Sequence, residues 1–205
     1  MPVIVVANPK GGVGKTTLST NLAGYFAARG HVVMLGDVDR QQSARTWLGL
    51  RPAGLPVIST WEATHDEIVR PPKGTTHVVL DTPAGLHGTR LDEVMKLADK
   101  VLIPLQPSIF DIHATHAFVR QLLAHKRSAR VQLGVVGMRT REGTIATDQL
   151  RGFLGGLEVP VLGFIRDTQN YVHLAAQGLT LFDVGAARFE RDLAQWEPVR
   201  QWLDV

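Results

Sequence analysis

The chain has 205 residues, 44% of them hydrophobic and 20% charged, a composition that suits one ordinary globular domain and excludes a disordered or fibrous chain. It has no cysteine, which excludes a disulfide framework, a thiol nucleophile and a thiolate metal site, and nothing in it requires an oxidising compartment. The formal charge of +3 is mildly basic and compatible with a polyanionic partner, and no run of about 18 apolar residues offers a membrane span.

In chain order, Val3–Ala7 reads as a first strand; it is too short for a signal-peptide core and runs straight into a glycine-rich loop. That loop, Pro9-Lys10-Gly11-Gly12-Val13-Gly14-Lys15-Thr16-Thr17, leads into a helix predicted over Thr16–Arg29. Glycines let the backbone turn so that successive N–H groups point at phosphate oxygens, and the helix adds its positive N-terminal end. In this reading Gly11, Gly12, Val13, Gly14 and Thr17 belong to the phosphate cradle, Lys15 reaches the β- and γ-phosphates, and the Thr16 hydroxyl ligates Mg²⁺. Pro9 stands where the general P-loop pattern has glycine.

The second strand, Val32–Asp37, runs into Val38-Asp39-Arg40-Gln41-Gln42-Ser43. Two carboxylates one residue apart on an extended strand point to opposite faces, so only one meets the phosphates directly unless the chain turns there. Arg51–Pro56 and Pro71–Gly74 read as loops inside the same domain. A third strand, His77–Asp81, ends in Asp81 and is followed by Thr82-Pro83-Ala84-Gly85. Strands at Val101–Leu105, Gln132–Met138 and Val161–Ile165 then alternate with helices at Leu91–Ala98, Ile112–His125, Thr144–Leu154 and Asn170–Gln177, and a last helix covers Phe189–Leu203. This alternation predicts an α/β fold with a doubly wound, mostly parallel sheet and helices on both faces, whose strand C-terminal ends form the ligand-binding edge.

The eight histidines show no zincin spacing and read as surface or packing residues, and no G-x-S-x-G elbow supports a hydrolase triad. Leu193, Trp196, Val199 and Leu203 share one side of the last helix, but the surrounding charges are mixed, so this side is expected to pack on the domain rather than on a membrane.

Lys10-Gly11-Gly12-Val13-Gly14-Lys15-Thr16-Thr17 resembles the deviant Walker A loop of the ParA/MinD ATPases, whose extra lysine, here Lys10, reaches across a nucleotide sandwich dimer to the partner's phosphates. The segment from Asp37 is similar to that family's D-x-D-P-Q stretch, with Arg40 in place of the proline. Asp81 to Gly85 resembles the Walker B strand and its switch, and Ala98–Pro104 with Pro107–Asp111 extends the match. The resemblance implies that Asp39 positions the attacking water, that Asp37 supports the Mg²⁺ shell and that Asp81 holds Mg²⁺ through water, with the division of labour between Asp37 and Asp39 open. It also implies a base site near Gly163–Thr168, giving Arg139, Arg166, Asp167 and Thr168 as candidate adenine contacts.

The match is to small ParA-type partition ATPases, with no room expected for an N-terminal helix-turn-helix domain, and the fold implied is one P-loop NTPase domain over residues 1–205. The resemblance implies a cytoplasmic, nucleoid-associated homodimer formed with ATP and Mg²⁺. Such a dimer binds duplex DNA without sequence preference, and a ParB-like or other cargo adaptor stimulates it to hydrolyse ATP to ADP and phosphate. Lys10, Lys15 and Asp39 are then the catalytic candidates, and Lys126, Arg127, Arg130, Arg188 and Arg191 the DNA-binding ones. A MinD-like membrane-cycling ATPase and a P-loop amide- or ligase-type synthetase are the alternatives.

Overall fold

The computed structural model describes residues 1–61 and 71–205. In chain order the elements are β1 (Val3–Val6), α1 (Lys15–Ala28), β2 (Val33–Asp37), α2 (Ser43–Leu50), β3 (Ile58–Trp61), β4 (His77–Asp81), α3 (Gly88–Leu97), β5 (Lys100–Leu105), α4 (Ile109–Leu123), β6 (Gln132–Thr140), α5 (Ile145–Leu154), β7 (Val161–Arg166), α6 (Asn170–Ala175) and α7 (Ala186–Leu203). The strands form a seven-stranded sheet in the order β3-β2-β4-β1-β5-β6-β7, and every pairing is parallel. This is the doubly wound α/β architecture that the alternation of elements predicts.

β1 shows why the sheet is covered on both sides. All four of its residues are buried, and successive side chains of a strand point to opposite faces. Val3 and Val5 join a core with Leu91, Val94, Phe118, Leu122 and Leu150 of α3, α4 and α5. Ile4 and Val6 join the other, with Leu18, Leu22, Trp47, Leu174, Trp196 and Val199 of α1, α2, α6 and α7.

Two elements are absent from the sequence reading. α2 buries only Ala44 and Trp47, and the edge strand β3 buries only Ile58 and Trp61 around an exposed Ser59 and a half-buried Thr60, so neither carries a strong periodic signal. α7 begins at Ala186 rather than Phe189, and Phe189 itself is non-helical at φ −120°. As expected, this helix packs inward, burying Phe189, Trp196, Val199 and Leu203. Among the described residues no helix is long and apolar enough to cross a membrane.

Because all strands run the same way, the loops after them meet at one edge. β4 lies between β2 and β1, with Asp81 in register with Asp37 on one side and Val6 on the other. Topology alone therefore sets the two acidic strand ends beside the loop that leaves β1.

Candidate functional site

The glycine-rich loop is anchored before it turns. Asn8 is fully buried; its Nδ2 donates to Pro104 O at 2.8 Å and Thr115 Oγ1 at 2.9 Å, and its Oδ1 accepts from Lys10 N at 2.8 Å. Gly12 and Gly14 adopt φ 77° and 95°, which only glycine reaches without strain. A Cβ on Gly14 would also come within 3.0 Å of Met138 Cε. Gln106 Nε2 donates to Gly12 O at 2.5 Å, holding the loop from the end of β5. Among the described residues, no hydrogen bond takes up the backbone N–H groups of residues 11–17. With the start of the 14-residue α1 behind them, these groups form an open anion cradle.

Lys15 is buried, and its Nζ donates to Lys10 O at 2.7 Å. Burial lowers its pKa, while Asp81 and Asp39 pull it back up. The Lys10 side chain is half-buried.

Asp81 is 2% exposed, and its oxygens accept from Thr16 Oγ1 at 2.7 Å and Ser19 Oγ at 3.0 Å. Burial pushes its pKa up to about 7; Asp37 adds to the rise, while the two hydroxyls and Lys15 oppose it. A buried carboxylate backed by neutral hydroxyls is an all-oxygen donor set of the kind Mg²⁺ prefers, and Mg²⁺ typically takes one or two protein oxygens and completes its shell with phosphates and water. The residues present thus fit that ion. Ser19 carries no motif signal, since its role depends on the α1 turn that sets it beside Thr16.

Asp37 faces elsewhere. Its Oδ2 accepts from Ala44 N at 2.8 Å and Arg45 N at 3.2 Å, and its Oδ1 accepts from Asp39 N at 3.0 Å. The residue before α2, Gln42, sits at φ 50° and offers no side-chain cap, so Asp37 caps that helix from the neighbouring strand. Burial raises its pKa, the three N–H donors lower it, and Asp39 raises it again.

The strand ends at Asp37 and the chain turns, with Gln42 N donating to Asp39 O at 3.1 Å and Gln41 N to Asp39 Oδ1 at 3.0 Å. This turn lifts the alternating-face limit on the two carboxylates. Asp39 lines a cleft of about 480 Å³ with Gly11, Gly12, Gly14, Lys15, Thr16 and Thr17; Val13 is buried beneath the loop. Gly85, at φ 75°, donates its N–H to Pro9 O at 2.9 Å, joining the loop after β4 to the start of the cradle.

A second cavity of about 470 Å³ adjoins the first. Arg139, Arg166, Asp167 and Thr168 all line it, together with Ile165, Tyr171 and Val172. Gly14, Thr17 and Arg139 line both spaces. Two of the expected polar contacts are engaged elsewhere. Arg166 binds Asp192 through Nε at 2.6 Å and Nη2 at 3.2 Å, and Asp167 Oδ2 accepts from Arg141 Nε at 2.9 Å and Nη2 at 2.5 Å. Thr168 Oγ1 accepts from Asn170 N at 3.3 Å. Tyr171 and Val172 escape sequence reasoning because a six-residue helix shows too little periodicity to reveal which side is wet. A larger cavity, about 570 Å³ between α6 and the start of α7, includes Arg188 but none of the phosphate-loop or acidic residues.

The five expected DNA-binding cations fall into two separated groups. Lys126, Arg127 and Arg130 lie between α4 and β6, at the N-terminal edge of the sheet, where Gln132 N donates to Asp99 O at 2.9 Å. Arg188 and Arg191 lie near the start of α7, close to Asp192, which meets Arg166 at the C-terminal end of β7. Arg191 pairs with exposed Glu142 at 3.3 Å, Arg127 donates to Lys96 O at 3.4 Å, and Arg188 lies over the Phe189 ring.

A family model described as the CobQ/CobB/MinD/ParA nucleotide binding domain matches residues 4–181. Over 206 residues the chain is 30% identical to the maintenance of carboxysome distribution protein A of Gloeobacter kilaueensis, with 98% of this chain and 94% of that protein covered. The MinD cell division protein of Aquifex aeolicus superposes with a TM-score of 0.77 at 21% identity, covering 100% of this chain and 98% of that one. An ATP complex of a Cyanothece McdA variant superposes with a TM-score of 0.70 at 18% identity, covering 97% and 96%. At these identities the two structural likenesses are of fold. The family match spans most of the chain and includes the cradle and both acidic strand ends, so the protein belongs to the CobQ/CobB/MinD/ParA family of nucleotide-binding proteins.

Proposed function

We propose that residues 1–205 act as one P-loop ATPase domain of the ParA type, which dimerises around ATP and in that state binds duplex DNA without sequence preference. The ATP-bound dimer thus sits on the nucleoid until a cargo-bound adaptor stimulates hydrolysis and release. The observation that carries this reading is the turn after β2, which brings the Asp39 carboxylate into one cleft with Lys15 and Thr16. Similarity to a carboxysome-distribution protein supports a cargo-positioning role, and the inward packing of α7 argues against a membrane-binding helix.

Phosphoryl transfer to water rests on positioning and on charge stabilisation. Asp39 accepts a hydrogen bond from the attacking water and aims its oxygen at the γ-phosphorus; the bond to the bridging β–γ oxygen breaks, and ADP and phosphate leave. Lys15 and the amides of residues 11–17 hold the phosphate oxygens, and the partner's Lys10 contributes a further charge. Thr16 would hold Mg²⁺ directly and Asp81 would hold it through water, and the ion would supply neutralisation of the phosphate charge. Asp37 supports that shell indirectly, by fixing the turn that carries Asp39.

Light scattering with ATP, ADP or no nucleotide, phosphate release, and anisotropy of unrelated labelled duplexes across a salt series test the proposal together. An ATP-dependent dimer whose DNA affinity falls steeply with salt is expected. A protein that stays monomeric with ATP, or shows no ATP-dependent DNA binding at low salt, overturns it.

A further inference from the structure

We propose that Arg139 grips the nucleotide where its phosphate chain joins the ribose, an inference that rests on the nucleotide reading above. The backbone singles this residue out. Gly137 pairs with Phe164 and Thr140 with Arg166, so Met138 and Arg139 of β6 face the single residue Ile165 of β7. A bulge of this kind bends the strand and re-aims a side chain, and bulges are over-represented next to active sites. Within it Arg139 adopts φ 51°, a left-handed conformation rare for a residue with a long side chain. The preceding residue, Met138, packs against the P-loop, where any side chain on Gly14 would have to go.

The result is an exposed guanidinium group at the junction of the phosphate cleft and the base cavity, both of which Arg139 lines together with Gly14 and Thr17. Its neighbours are committed: Arg141 to Asp167 and Arg166 to Asp192. Among the described residues the Arg139 side chain enters no hydrogen bond or ion pair. A strained, unpaired cation at that junction suits an oxyanion that every form of the nucleotide carries, the α-phosphate.

Calorimetric titration with ADP, ATP and GTP separates the possible contacts. Arg139→Ala and Arg139→Gly are expected to weaken ADP and ATP alike, by about tenfold or more, and to leave the preference for ATP over GTP unchanged. Arg139→Gly should also keep the melting temperature of the nucleotide-free protein at or above the wild-type value, since glycine accepts φ 51° without strain. Unaltered affinities overturn the proposal. So does a loss confined to ATP, which would put the contact at the γ-phosphate, or a changed ATP-to-GTP preference, which would put it at the base. A fall in the melting temperature of Arg139→Gly would make the residue structural and also overturn it. A wild-type protein that binds no nucleotide overturns the nucleotide reading itself, whereas wild-type binding with unaffected variants overturns this inference alone.

Discussion

Lys15 and Lys10 lie in one loop but in different surroundings. Lys15 is buried and directed at its own loop, whereas Lys10 is half-buried and contributes its backbone rather than its ammonium group to that contact. Lys15→Ala is therefore expected to abolish nucleotide binding, and Lys10→Ala to retain ADP binding while losing the ATP-dependent dimer. Calorimetry and light scattering distinguish the two, and equal loss of ADP affinity in both variants would refute the cross-subunit role. A titration effect arises at the far edge of the sheet. The His77 ring stacks on Phe26 at 4.3 Å and lies 4.0 Å from His31. Burial, reinforced by His31 and the N-terminus, lowers its pKa from 6.5 to about 4. The fold thus favours neutral His77, and the stability this contributes is lost as pH falls from 6.5 towards 4. His77→Phe should flatten the melting-temperature profile over that interval relative to wild type.

Among the elements, α2 depends on a residue outside itself. Its preceding residue gives no cap, and a single oxygen, Asp37 Oδ2, accepts from both Ala44 N and Arg45 N. Asp37→Ala leaves these donors without their acceptor and is expected to cost about 1–3 kcal/mol in denaturant unfolding. It should also slow phosphate release by loosening the turn that carries Asp39, with less effect on ADP affinity; an unchanged hydrolysis rate would remove Asp37 from the site's support. The acidic strand ends were legible because a strand that stops at a carboxylate is visible in sequence. That Asp37 caps a helix was not, since the helix has few buried residues and the capping contact crosses elements. The family resemblance implies Arg166 and Asp167 as base contacts; both line the second cavity, but their engagement with Asp192 and Arg141 depends on partners that only folding supplies.

Across the whole molecule, the parallel order of the sheet could be anticipated from alternating elements, whereas the separation of the two cationic groups could not, because sequence does not show which edge of the sheet a surface cation joins. A long-range ion pair secures the outer part of this architecture. Arg51, at the end of α2, binds Asp183 at 2.7 Å with side chains 6% and 0% exposed, and also donates to Gly178 O at 3.3 Å. Burial opposes the charged form of Asp183, but hydrogen bonds from Arg51 and Thr180 outweigh it and lower the pKa. Arg51→Ala strands this buried carboxylate and should cost about 3–5 kcal/mol at neutral pH. The difference from wild type should shrink under acid, as pH falls through the depressed pKa and the pair's contribution is lost; equal stability of the two proteins at neutral pH would contradict the assignment. The open amides of residues 11–17 have a consequence for isotope labelling. Amides that lack an acceptor and meet solvent, as at exposed Gly11 and Gly12, exchange with deuterium without waiting for the fold to open, so a peptide covering this stretch should take up part of its label within the earliest time points in free protein. Bound phosphates would supply the missing acceptors. Labelling of this one peptide, slowed by ADP and slowed further by ATP, would report occupancy of the cradle independently of turnover.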